Sequence, residues 1–208
     1  MSKQTQNKEL RSIVGTVEIR QAEDGSESRT IEGYAVVFNK DSKVMMDWGG
    51  QYIETVDRDA FSEVDMSDVV ATFNHDFNLI QGRTSSNTLQ LSIDDYGLKY
   101  KFDAPNTTAG NDLLENIRNG NVKGSSFMFT IKTQRWTWAQ DETEMDRREI
   151  LKVDKLFEVG PVVIPAYNDT TAASRSYKDL KDEQRKDIAA QRLQRNKIKC
   201  LIVKHKHK

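Results

Sequence analysis

The chain has 208 residues, 37% hydrophobic and 30% charged, with a net charge of -1, one cysteine and three histidines. This length suits one good-sized core, and the single Cys200 with so few histidines excludes a disulfide framework and a zinc cluster, so neither metal nor cofactor is expected. No apolar run approaches the roughly 20 residues that span a bilayer, and "MSKQTQNKELRS" lacks the apolar stretch of a secretory signal, so the expected location is the cytoplasm, with no membrane partner.

Residues 1–11 read as a disordered N-terminus, and residues 12–174 as one domain. "IVGTVEIR", "TIEGYAVVFN" and "QYIETV" are rich in β-formers and separated by polar, Gly-containing turns. "RDAFSEVD" is expected to open a helical turn near Asp57, and "VVATFNHD" to return to strand. "TLQLSIDDYGLKYKFDAP" alternates Leu89, Leu91 and Ile93 with polar neighbours and reads as a hairpin turning between Asp94 and Gly97. "GNDLLENIRNG" carries Leu113, Leu114 and Ile117 at helical spacing and ends in Asn119-Gly120, a good left-handed cap. "SSFMFTIKTQRWTW" is a strand, "AQDETEMDRRE" a charged hairpin loop, and "ILKVDKLFEVGPVVIPAY" another strand, ended by Pro161 and Pro165. Together these predict a mainly antiparallel β domain with a few helices. From Arg175 onward 12 Lys/Arg face 4 Asp/Glu, a charge of +8 against -9 for residues 1–174. This basic tail suits an acidic protein surface, nucleic acid held weakly by counterion release, or simple solvation as a polar helix.

Three polar residues stand in apolar places. A two-residue period puts Ser125, Phe127, Phe129 and Ile131 on one face of their strand and Ser126 on the other, beside Gly124, where little side-chain bulk is expected. His75 is the one histidine outside the last four residues, and alternation places it at the end of the row Val69, Ala71, Phe73. Glu158 interrupts "LFEVGPVV", and a carboxylate taken out of water needs a cationic or hydrogen-bonding partner. Serine, imidazole and buried carboxylate are the parts of an activated hydroxyl nucleophile. Asp154, counted on the same strand face as Glu158, and Asp76, beside His75, compete for the third role.

Four ordered stretches, "GYAVVFN", "FNHDFNLIQGRT", "LLENIRNGNVKGSSFMF" and "LFEVGPVVIPAYNDT", resemble the prohead proteases of tailed bacteriophages, the capsid maturation serine proteases of HK97-like phages. The family's Gly-Met-Ser-Phe-Gly-Phe pattern falls on Gly124 to Phe129 and implies Ser126 as nucleophile, His75 as base and Glu158 as acid. This chain departs from it at Ser125 and Met128, and Gly160 stands where the family has serine after Glu-Val. The resemblance implies a closed β-barrel flanked by helices, similar to herpesvirus capsid proteases, whose third member is a second histidine that this body lacks. It also implies an endopeptidase inside the assembling prohead in the host cytoplasm, cutting scaffold or the scaffolding segment of the major capsid protein and also itself. Self-association as a dimer would fit the same resemblance. The competing reading is a non-catalytic barrel that binds capsid or scaffold through its tail.

Overall fold

The computed structural model describes residues 8–14, 17–21, 28–47, 50–140 and 144–163; the expectations for the tail and for Pro165 fall outside these. The β-branched and aromatic runs become strands that stack in two sheets. One has β1 (Glu9–Val14), β10 (Gly124–Thr137), β11 (Asp146–Val162), β5 (Gly50–Val56) and β4 (Met45–Asp47) in that order, and β6 (Val70–Phe73) with β7 (Asp76–Arg83) joins it along β11. The other has the order β2 (Val17–Ile19), β3 (Thr30–Val37), β9 (Gly97–Asp103), β8 (Gln90–Ile93).

The mainly β, mainly antiparallel expectation holds, with two corrections, to the closed barrel and to the number of helices. Among the described residues no sheet closes into a barrel, and pairing is not uniformly antiparallel, because β11 runs parallel to β5 through Asp146–Ile150 and to β6 through Glu158–Val159. The same residues hold one α-helix, α1 (Thr108–Arg118), rather than several. Thr107 Oγ1 caps it by accepting from Gly110 N at 3.2 Å, Leu113, Leu114 and Ile117 are buried, and Gly120 at φ +69° supplies the left-handed exit. The "RDAFSEVD" stretch forms turns that bury Ala60 and Phe61.

The core fills the space between the sheets. Phe127 and Phe129 stack at 4.6 Å between ring centroids and belong to the same cluster as Tyr100, Phe102, Leu156 and Val159. Ser125 shares that face, as alternation predicts, and its hydroxyl meets Tyr100 Oη at 2.8 Å; burial raises the Tyr100 pKa although this hydrogen bond works to lower it. The turn Asp94–Gly97 also forms as expected, with Asp94 Oδ1 accepting from the backbone N–H groups of Tyr96 and Gly97. The charged loop is shorter than expected: β11 begins at Asp146, because Asp146 and Arg148 are buried against polar partners rather than left in solvent. It also runs past Pro161, whose carbonyl accepts from Asn74 N at 3.1 Å.

Strand β1 starts at Glu9, inside the segment read as disordered, and its charged residues explain the miss. Glu9, Arg11, Glu54 and Arg148 are all buried, at 8% exposure or less, and neutralise one another two against two. Arg11 donates from Nη2 to Glu9 at 2.6 Å and to Glu54 at 2.8 Å. Arg148 donates to Glu9 at 2.7 and 2.8 Å, to Glu54 at 3.0 Å and, from Nε, to Gln134 at 2.7 Å. Several charge-assisted bonds offset the desolvation of the four ions. Burial acts to raise the Glu9 pKa, but Arg11 and Arg148 outweigh it and hold the carboxyl below its ordinary value. The quartet thereby fastens β1 to β5 and β11.

Candidate active site

Glu158 reaches its position through slipped register. In the β10–β11 ladder Glu158 faces Met128 and Gly160 faces Ser126, while Phe157 has no partner on β10. The extra residue lets both Leu156 and Val159 point into the core, three positions apart, and leaves Glu158 on the opposite face with Ser126. Asp154 is likewise without a partner on β10, so the simple alternation that put it on the Glu158 face does not apply.

His75 sits in a two-residue turn rather than at the end of a strand row. Phe73 pairs with Asp76, and the intervening Asn74 and His75 have φ +54° and +62°, the twist of the tight turns that suit hairpins. The turn is tied to β11 by Asn74 N, which donates to Pro161 O, and by Asn74 Oδ1, which accepts from Val163 N at 2.9 Å. From this mount the ring places Nδ1 2.8 Å from Glu158 Oε2. Glu158 is 1% exposed, and its other oxygen accepts from Thr72 Oγ1, a partner the sequence did not disclose because threonine is an ordinary strand residue. Asp76 instead accepts from Asn78 N and Nδ2, closing its own turn.

Gly160 has a local reason to lack a side chain. A Cβ there would lie 2.0 Å from Thr72 O, so the close approach that brings Thr72 to Glu158 excludes any larger residue.

Ser126 lies on the same sheet face but is not open, against the expectation of a clear strand mouth. It is fully buried under β1: Ser12 is its register partner, Ser12 Oγ donates to Ser126 Oγ at 2.9 Å, and Ser126 Oγ donates to Arg11 O at 2.7 Å. His75 Nε2 is buried and has no hydrogen-bond partner among the described residues, so the structure joins His75 to Glu158 but not Ser126 to His75. An Nδ1–H donated to the carboxylate is the tautomer that leaves Nε2 as the acceptor nitrogen of a neutral imidazole.

A carboxylate-bound imidazole and a serine are parts that serine hydrolases combine. The chain belongs to the caudovirus prohead serine protease family, whose sequence pattern matches residues 15–184. Membership connects it with phage capsid maturation in the assembling prohead and with capsid proteins in general. No curated protein and no solved structure matches the chain significantly, so the likeness to herpesvirus capsid proteases gains no support.

Proposed function

We propose that the chain is a serine endopeptidase that cuts scaffold, or the scaffolding segment of the major capsid protein, and itself, with Ser126 as nucleophile, His75 as base and Glu158 as the group that orients His75. The observation that supports this most is the 2.8 Å contact of His75 Nδ1 with Glu158, whose carboxylate is buried on the face that carries Ser126. In this mechanism His75 Nε2 takes the Ser126 hydroxyl proton as Oγ attacks the peptide carbonyl carbon. The same nitrogen then gives the proton to the departing amine, leaving an acyl-enzyme. Water, deprotonated by Nε2, releases the acid and restores the serine. Glu158 holds Nδ1–H and stabilises the imidazolium formed at each step.

The test is mass spectrometry of the chain co-expressed with its capsid protein. Ser126→Ala should abolish new termini while the fold stays intact, and Ser125→Ala, which removes only the hydroxyl facing Tyr100, should keep them. Loss from Ser125→Ala alone would refute the assignment.

A further inference from the structure

Both hydrogen-bonding capacities of the Ser126 hydroxyl in use here are taken by one strand: its proton goes to Arg11 O and its oxygen accepts from Ser12. β1 is the terminal strand of its sheet and covers Gly124 to Phe129, six residues of β10 with Ser126 among them. Any extended peptide laid antiparallel along that edge would bring a backbone carbonyl to the same oxygen, as Arg11 does now. We propose that this edge of β10 is the substrate-binding site, filled by strand addition, and that β1 occupies it in cis as a strap that keeps the enzyme latent. The inference deepens the proposed peptidase reading and rests on Ser126 as its nucleophile.

The strap explains three features together. It accounts for a nucleophile with no solvent exposure, for a base whose Nε2 lacks a partner among the described residues, and for buried charges on a terminal strand. Once β1 leaves, the Ser126 proton is released from Arg11 O and can turn to an imidazole acceptor. Main-chain pairing would supply affinity along β10 and side-chain sites would supply choice. Those sites follow from the quartet. Removing Glu9 and Arg11 leaves Glu54 and Arg148 neutral as a pair but stripped of their bonds to β1, so an incoming segment restores those bonds and keeps neutrality when it carries an acidic and a basic residue two positions apart. The ligand class is therefore an extended peptide of pattern Glu-Xaa-Arg, with the arginine carbonyl at Ser126.

The test uses the full-length chain and the Glu9→Gln/Arg11→Gln variant, which loosens β1 without changing the net charge of the site. A fluorescein-labelled peptide of the sequence KELRSIV, residues 8–14, should bind the variant and not the wild type. Phosphonylation of Ser126 by a fluorophosphonate should be faster in the variant by roughly tenfold or more, the effect of a tenfold larger open fraction, and the peptide should slow it again. If circular dichroism shows that the variant has not folded, the full-length Arg11→Lys variant, which keeps the charge but loses the forked bonds to Glu54, replaces it. Peptide binding with no Ser126 labelling would leave the strap standing and refute Ser126 as nucleophile. Absence of peptide binding to either folded form overturns the proposal.

Discussion

Replacing Glu158 with glutamine tests its proposed role in orienting His75, and its neighbour Thr72 sets the size of the effect. Glu158 accepts from His75 Nδ1 on one oxygen and from Thr72 Oγ1 on the other. A carboxamide has one acceptor and one donor end, and a threonine hydroxyl can serve either as donor or as acceptor. The carboxamide of the Glu158→Gln variant can thus keep its oxygen on His75 and present its NH₂ to Thr72, preserving Nε2 as acceptor. What is lost is the charge on the hydrogen bond. Bonds to charged groups contribute about 1.5–3 kcal/mol against about 0.5–1.5 for neutral ones. The difference of about 1–2 kcal/mol corresponds to a loss of roughly 5- to 30-fold in rate. A reversed tautomer would cost far more, about 10⁴-fold. The assay is the second-order rate of Ser126 phosphonylation, taken side by side with wild type so that β1 occlusion cancels in the ratio. Glu158→Gln/Thr72→Val should be slower still, because valine cannot receive the NH₂. A Glu158→Gln loss below about 2-fold would remove Glu158 from the mechanism, and a loss above about 10³-fold would refute the Thr72 argument.

Arg148→Met leaves two buried carboxylates with one guanidinium and should lower stability by about 3–5 kcal/mol, seen as an earlier urea midpoint; a change below about 1 kcal/mol would show that water already reaches the quartet. The depressed Glu9 pKa means that its stabilising contribution is full above the ordinary value of 4.5 and is lost as pH falls through the lower folded value, so the β1 amides should be the first to lose hydrogen-exchange protection, measured against the intrinsic rate at each pH, on acidification. Gly160→Ser should cost about 1–3 kcal/mol through the contact with Thr72 O and slow Ser126 phosphonylation, and a neutral result would mean that β6 yields freely. Truncation after Ser174 should leave peptide hydrolysis unchanged and reduce incorporation into proheads, if the +8 tail is a tether to acidic scaffold; loss of folding would assign the tail to the domain.

Local chemistry made much of this legible from sequence. The Asp94 turn, the Thr108–Arg118 helix and the two faces around Phe127 follow from short-range rules that the structure obeys. Glu158 was recognisable because a carboxylate in an apolar run demands a partner, and one is present. The failures have a shared cause in non-local pairing. β1 looks too charged for a strand until Glu54 and Arg148 arrive from far along the chain, and His75 looks like a strand residue because nothing local announces the slip that lets Phe73 meet Asp76. The residues without partners at Asp154 and Phe157 shift the faces of β11 in a way that alternation does not reveal.

The parallel alignment of β11 with β5 and β6 has a consequence for synthesis on the ribosome. Thr72 and His75 emerge early, Ser126 about fifty residues later, and Glu158 only as the last described strand is completed. Contacts of such long sequence separation form slowly, and none of them can form before β11 has left the exit tunnel. A nascent chain therefore holds the serine and the imidazole on segments with no frame to join them, and incomplete translation products carry no assembled site. Because β1 and β10 both emerge ahead of Glu158, the proposed strap can close over Ser126 before the proposed triad has its carboxylate.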